Sequence, residues 1–391
     1  MPPSSQIGLG ARVASTRGGR RMTQVALARA AGMSLSMLRK IEQGTRYPSD
    51  DGLSNLADAL GVDIHRLLGI RETRDSRVNA ALPAMRAAID GYDMPEDGPI
   101  RALPELREAV DTAVERRLAS QYALLAQTLP DLLTELARAV CVLPDPERHR
   151  AAALLTGAYR AADAVAYKHG HFDLSGRLVE LIRWAAARAD DELQTAVAAY
   201  VRTEIFFVSG NLASGLRSLE RALDAAPPPQ GTQARAARVA LHMRASVVAA
   251  RMRRPDVARA HMTEAEVLVA SIPEGVYCGT AVGPSSLRVH KASAAIELGD
   301  GAAVLGLAGE WKPGTELPAE RRSHFYIDLA QAQLWSGKRD DAFASLQIAR
   351  KIAPEHVREH PQVRNTLATL VRLQRSLPDA LLGYAEWAHA I

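Results

Sequence analysis

Cysteine, aromatic residues and long apolar runs are all scarce in this chain. Its 391 residues include two cysteines, Cys141 and Cys278, too few and too far apart for a disulfide framework, which fits a reducing compartment. No run of about eighteen apolar residues occurs, so no stretch reads as a membrane-spanning helix. The start, MPPSSQIGLG, has no cationic segment leading into an apolar one and does not read as a secretory signal. The expected location is the cytoplasm. Glycine-rich phosphate loops, nucleophile elbows and paired-carboxylate motifs are missing too, so neither enzymatic activity nor a cofactor is expected.

Two histidine groups come nearest to a metal motif. His169, Gly170 and His171, followed by Asp173, fall on a predicted turn without a second ligand pair at matching spacing. His356 and His360 are four apart on a predicted helix, the spacing of a two-histidine zinc site, but no third ligand can be named. A charged surface is the expected reading, and no metal is expected.

Apolar residues make up 47% of the chain, enough for a real core, and the length implies two or three domains. Net positive charge is confined to one end. Residues 1–74 hold eleven Arg and Lys against six acids, a net +5, whereas the whole chain carries +4. The basic excess therefore lies entirely in the first part, as expected if that part meets phosphates.

That part holds the most informative stretch, TQVALARAAGMSLSMLRKIEQG, from Thr23 to Gly44. Val25, Leu27 and Ala28 predict an apolar face for one short helix, with Ala28 small enough for a second helix to cross over it. Gly32 allows a tight turn and Ser34 is a good N-cap for the next helix. In that helix Met37, Leu38 and Ile41 recur at helical spacing and face inward. Leu35, Ser36, Arg39 and Lys40 are left outward, short side chains first and cations after, as a helix entering a DNA major groove requires.

From Ile7 to Leu68 these residues resemble the XRE-type, or Cro-like, helix-turn-helix domain. The likeness is carried by Thr23-Gln24, Leu27-Ala28, Gly32-Met33-Ser34, Ile41-Glu42, Gly44, Arg46 and Pro48. It continues through Leu53, Leu56-Ala57 and Ala59-Leu60-Gly61-Val62. The resemblance implies a five-helix, lambda-repressor-like domain, with helices near 7–17, 23–31, 34–42, 49–60 and 63–68. It implies that Gln24 anchors a phosphate and braces the reading helix, that Leu35, Ser36 and Lys40 occupy base-reading positions, and that Arg17 pairs with Glu42. Many relatives carry Gln or Asn where this chain has Leu35 and Ser36. The expected DNA-contacting set is Arg20, Arg21, Thr23, Gln24, Ser34, Leu35, Ser36, Arg39, Lys40, Thr45 and Arg46. Arg20, Arg21 and Arg46 are the phosphate contacts within it. The alternative is a module used for protein contacts alone.

Domains are expected at 1–69, with a linker at 70–104 containing a short helix over Val78–Ile89, and at 105–391. The last region has uniform helical periodicity and no convincing strand. Its clearest repeat runs from Tyr326 to Pro354, with Leu329, Ala330, Gly337, Ala342, Leu346 and Ala349 at tetratricopeptide-like positions. A second copy has Phe206, Gly210, Gly215, Leu219, Ala222 and Pro227. Weaker turns at Gly170, Arg253-Arg254 and Gly299 give steps of 40, 43, 46 and 38 residues. The expected fold class is all-α, a helix-turn-helix domain followed by a tetratricopeptide-like solenoid; an irregular bundle is the alternative. Ser271–Ser285, rich in Gly and Pro, is expected to be an exposed loop.

In a tetratricopeptide unit the first helix of each pair lines the concave wall. The register places Arg160, Tyr167, Lys168, Tyr200, Glu204, Phe207, Met243, Val247, Arg251, Ser293, Glu297, His324, Gln331 and Trp335 there, and a ligand groove is expected. The two parts together resemble bacterial regulators that join an XRE-type domain to a tetratricopeptide sensor. That resemblance implies a homodimer on a palindromic double-stranded operator, with a small molecule, peptide or protein as effector. Peptide-sensing relatives often use asparagines on the wall. This chain has Asn55, Asn79, Asn211 and Asn365, none on the expected wall. An adaptor whose repeats hold a partner protein, with DNA binding only for localisation, is the rival reading.

Overall fold

The computed structural model describes residues 9–20, 22–46, 48, 50–62, 74–374 and 378–391. The chain divides into two compact units, Met1–Asn79 and Ala80–Ile391.

The described part of the first unit contains α1 (Leu9–Gly19), α2 (Gln24–Ala30), α3 (Leu35–Glu42) and α4 (Asp50–Leu60). The fifth helix expected near 63–68 lies outside the described residues. Thr23 and Ser34 cap α2 and α3, each side-chain oxygen accepting an N–H at 3.1 Å, from Ala26 and Met37 respectively. Val13, Leu27, Ala28, Leu38, Ile41, Leu56 and Leu60 form one buried core. Val25, expected on the apolar face, is instead 61% exposed. One turn holds only two apolar positions toward the core, and Leu27 and Ala28 fill them. The closest helix approach is also not at Ala28. A Cβ on Gly10 would overlap the carbonyl oxygen of Ile41, so α1 crosses α3 at a position where no side chain fits.

Across this crossing runs a polar clamp. Arg17 Nε donates to Glu42 Oε1 at 2.7 Å, and its Nη2 to Oε2 at 3.1 Å. Gln24 Nε2 donates to the same Oε2 at 2.7 Å, and Arg17 Nη1 to the carbonyl of Met22 at 2.9 Å. One carboxylate thus joins α1, α2 and α3.

The second unit begins with most of α5 (Arg74–Asp90), a longer helix than the 78–89 segment expected. It continues with α6 (Leu103–Leu118), α7 (Tyr122–Val142) and a series of helix pairs. The pairs are α8/α9 (Glu147–Lys168, Phe172–Ala186), α10/α11 (Glu192–Ser209, Leu212–Ala225) and α12/α13 (Thr232–Arg251, Pro255–Val269). Then come α14/α15 (Pro284–Leu298, Gly301–Ala308) and α16/α17 (Ala319–Trp335, Arg339–Ile352), followed by α18 (Pro354–Glu359), α19 (Pro361–Leu373) and α20 (Asp379–Trp387). The five within-pair turns put one residue each in the left-handed region: Gly170, Gly210, Arg253, Gly299 and Gly337, with φ from 58° to 81°. A side chain costs about 1–2 kcal/mol there, which accounts for glycine at four of the five. Small residues set the helix spacing within pairs. Ala330, Ala342, Leu346 and Ala349 are fully buried in one cluster, and Gly215 lies against the Phe206 ring.

The described fold is all-α apart from one short hairpin. Ser271–Ser285 is not an exposed loop but carries an antiparallel hairpin, β1 (Gly275–Tyr277) with β2 (Thr280–Val282), and Thr280, Ala281 and Val282 are buried. Its turn residues, Cys278 (φ 47°) and Gly279 (φ 71°), are both left-handed, the backbone of a tight two-residue hairpin. Three-residue strands are too short to give an alternating pattern a reader would notice.

Burial alone would raise the Glu42 carboxyl, yet hydrogen bonds from Arg17 and Gln24 hold it below the usual range. Its stabilising contribution is therefore present above the unfolded carboxylate range and is lost as pH falls through the depressed folded value. Glu42→Gln is expected to cost the first unit about 2 kcal/mol, less than a fully buried pair because Arg17 keeps partial solvent access. Hydrogen exchange of α1 and α3 amides in the full chain measures this. Unchanged protection in the variant, or the same acid-dependent loss as wild type, would contradict the clamp.

Candidate DNA interface and repeat cavity

The outward face of α3 presents Ser36, Arg39 and Lys40 exposed, with Leu35 half-buried at the first turn. Thr45 and Arg46 follow on an exposed turn, where Thr45 Oγ1 donates to the carbonyl of Lys40 at 3.0 Å. Thr23 and Ser34 are exposed at the starts of α2 and α3, where helix N-terminal amides favour an anion. Arg20 is exposed too, and its Nη2 donates to the carbonyl of Gly61 at 2.8 Å, which fixes it at the end of α4. Arg21 lies outside the described residues. Gln24 braces the reading helix by its bond to Glu42, and that bond occupies its amide nitrogen.

The second unit holds a cavity of about 720 Å³. Its walls are the first helices of the five pairs, each contributing one stripe at three- and four-residue spacing. From α8 come Arg160, Asp163, Tyr167 and Lys168; from α10, Tyr200, Glu204 and Phe207; from α12, Arg244, Val247 and Arg251. From α14 come His290, Ser293 and Glu297, and from α16, Glu320, Arg321, His324, Asp328 and Gln331. Two residues expected on the wall are elsewhere. Met243 is fully buried in the packing of α12, one position off the stripe, and Trp335 lies at the end of α16 against Gly301. Conversely Asn365 of α19 lines the cavity although no asparagine was expected there, because α18 and α19 close the end of the array outside the repeat register.

Tyr200 sits at the centre of a cluster of guanidiniums. Arg244 lies 4.3 Å from its ring centroid and Arg160 5.3 Å, and Arg321 Nη2 is 3.2 Å from its hydroxyl. Burial works against ionisation of the phenol, but Arg244, Arg321 and Arg160 bring it down to about 8. Burial likewise lowers Arg160 to about 9, with Arg117 adding repulsion. The acids respond in opposite ways. Burial, helped by Glu204, pushes Asp163 well up, while Ser175 Oγ donates to it at 2.6 Å. Burial would also raise Glu320, but Lys168 (3.1 Å away) and Arg321 hold it well below the usual range. The guanidiniums of Arg117, Arg160, Arg244 and Arg321 thus gather on the Tyr200 side of the cavity. The Nε atoms of Arg117, Arg244 and Arg321 are buried without hydrogen-bond partners.

At the far end of the α16 stripe three histidines meet. The ring centroids of His324 and His360 are 5.3 Å apart, those of His356 and His360 5.3 Å, and those of His324 and His356 6.0 Å. The expectation of a charged surface for His356 and His360 fails. His356 is 1% exposed, because α18 is a short helix folded back onto α16. Burial, with Lys168 and neighbouring cations or rings adding to it, holds all three imidazoles below their ordinary range, His324 to about 3. The sequence offered His324 only as a wall position, and nothing in the spacing tied it to residues 32 and 36 positions later.

The Tyr200 environment is directly measurable. A spectrophotometric titration should show one of the nine tyrosines ionising near pH 8, and Tyr200→Phe should remove that step. A titration in which every tyrosine ionises at or above pH 10 would contradict the guanidinium cluster.

A family model described as a helix-turn-helix domain matches residues 8–68. No curated protein matches the sequence at a significant level. Similar solved structures include the apo form of the competence regulator ComR from Streptococcus vestibularis, 13% identical, covering 93% of this chain and 97% of ComR with a TM-score of 0.35. PlcR of Bacillus thuringiensis, solved with the peptide PapR7 and DNA, is 14% identical over 66% of this chain and 93% of PlcR, with a TM-score of 0.27. PrgX in complex with iCF10 is 12% identical over 97% of this chain and 94% of PrgX, with a TM-score of 0.26. At such scores no residue or ligand is carried across. The first unit rests on its own match and geometry: residues 8–68 belong to the helix-turn-helix family.

Proposed function

We propose that the chain is an XRE-type, sequence-specific DNA-binding transcription regulator whose helical-repeat unit senses an effector. The reading helix is α3, with Ser36 and Lys40 meeting base edges and Leu35 a thymine methyl. Arg20 and Arg46 engage the backbone. A homodimer on a palindromic operator follows from the small footprint of one such domain, since two half-sites one helical turn apart supply the affinity a single domain lacks.

The observation that supports sensing is the cavity. Its volume suits a small molecule or a short peptide, and its wall combines aromatic faces with buried, incompletely paired guanidiniums. Leaving such groups without acceptors costs free energy, so the cavity favours an occupant with an anionic group, such as a carboxylate, near Tyr200. PlcR is a protein solved with the peptide PapR7, and a peptide is one class of effector to test. An adaptor reading would give no reason for buried, incompletely paired guanidiniums lining a cavity.

Operator affinity measured with and without host extract tests both halves. Lys40→Ala with Arg39→Ala should abolish preference for the operator. Arg46→Ala should weaken all sequences alike and flatten the salt dependence by about one unit of slope. Arg244→Ala and Arg321→Ala should lose at least about tenfold of the extract-dependent change in affinity while keeping basal binding. An unchanged operator preference in the α3 double variant sinks the placement of the reading helix. A full extract response in both arginine variants sinks the cavity as the sensor.

A further inference from the structure

We propose that His324, His356 and His360 form a binding site for a zinc-class divalent transition ion, with a coordination position open to the cavity. One potential ligand nitrogen from each ring lies within 4.8 Å of the other two. A tetrahedral ion bound at 2.0–2.1 Å would set three imidazole nitrogens about 3.3 Å apart, a closure that rotations about the side-chain torsions supply. An all-imidazole donor set suits zinc and its late first-row neighbours and does not suit magnesium or calcium, which take oxygen.

The second observation is the state of His356. Its ring is 1% exposed, and neither of its nitrogens has a hydrogen-bond partner; Nδ1 of His360 has none either. A buried donor or acceptor left unsatisfied is normally excluded from a core. An ion at the edge of the cavity would take one nitrogen from each ring, and so give His356 a partner that its core position otherwise denies it. The surroundings have the features of a metal site's outer shell. Asp328 Oδ2 lies 3.7 Å from Nε2 of His324, and Asp328 is itself held by Ser293 Oγ at 2.7 Å and Gln362 Nε2 at 3.4 Å. A small side-chain rotation would close that gap to the hydrogen bond that orients a ligating ring. Lys168, one of the cations that act on the three rings, is paired with Glu320 at 3.1 Å. Three protein ligands leave a tetrahedral ion one position short, and His324 lines the cavity. The fourth donor is then water or a group on the effector, an addition that rests on the effector reading above, whereas the metal site itself does not.

The test uses the tag-free full chain, stripped of metal and titrated with Zn²⁺ by calorimetry and with Co²⁺ by visible absorption. One ion per chain is expected, with the intense ligand-field bands of tetrahedral Co²⁺. His324→Ala alters a ring that is 26% exposed and should spare the fold, as the melting curve of the metal-free variant would verify. It should weaken binding by at least about 100-fold, and Asp328→Asn by about tenfold. His356→Ala should match His324→Ala, and if it fails to fold, His324→Ala decides. His242 and His261, whose Nδ1 atoms are 3.1 Å apart elsewhere in the unit, provide the control, so His242→Ala should leave affinity unchanged. The site is overturned if wild type binds no ion, or if binding survives His324→Ala but falls with His242→Ala. A protein that binds no metal yet still answers to host extract would lose this site and keep its sensing function.

Discussion

Taking a guanidinium out of water is costly unless its N–H groups find acceptors, and Arg160 is where this chain meets that constraint. It lies buried on α8. The acceptors come from far along the chain. Nη1 donates to the carbonyl of Cys278 at 2.9 Å and Nη2 to Thr280 Oγ1 at 2.8 Å, while Arg117 Nη2 donates to the carbonyl of Gly279. A tight turn leaves backbone carbonyls free to accept. The hairpin between α13 and α14 thus supplies acceptors to Arg160 and Arg117, two of the cations near Tyr200.

Much of this was legible in the sequence and some was not, for physical reasons. The within-pair turns at Gly170, Gly210, Arg253, Gly299 and Gly337 could be read because a left-handed residue is strongly selected and marks one position per pair. Once the turns are placed, a 3.6-residue period fixes which side of the first helix faces in, and Arg160, Tyr200, Glu204, Arg251, Ser293 and Gln331 fall on the cavity wall. Met243 shows the limit of that logic. It is one residue from Arg244, and a shift of about 100° carries a side chain from the cavity into the core. The hairpin, α18 and the histidine cluster escaped for a different reason. Each depends on contacts between segments tens to over a hundred residues apart, and no local period reports those.

The first unit shows the same division. Its caps, its core positions and the partnership of Arg17 with Glu42 follow from short-range spacing or from the family resemblance. Two features do not. Gly10 has no signature in a sequence until α3 is seen crossing above it, and Val25 looks like a core residue until Leu27 and Ala28 are seen to fill the available face. Gln24 illustrates why one carboxylate can organise three helices. Glu42 offers two oxygens and accepts from Arg17 and Gln24 together, so the start of α2 is positioned against the end of α3 by a polar contact rather than by packing. The exposed face of α3 is left without structural duties, as a surface that must adapt to DNA requires.

In the second unit α16 concentrates the opposite demands on a single helix. Phe325, Ile327, Ala330 and Ala332 are fully buried against neighbouring elements, whereas Glu320, Arg321, His324, Asp328 and Gln331 recur along the cavity side. Arg321 reaches Tyr200 of α10, Glu320 reaches Lys168 of α8, and Asp328 is gripped by Ser293 of α14 and Gln362 of α19. Contacts from one stripe therefore touch four other helices, including two that are separated from α16 by intervening pairs. An occupant that neutralised the guanidiniums at one end, or an ion that drew the histidines together at the other, would act on the same rigid rod. Because packed helices shift as units rather than bending locally, either event would change the spacing of several pairs at once. The polar stripe of α16 is in this sense the element on which the two ends of the cavity are mechanically joined.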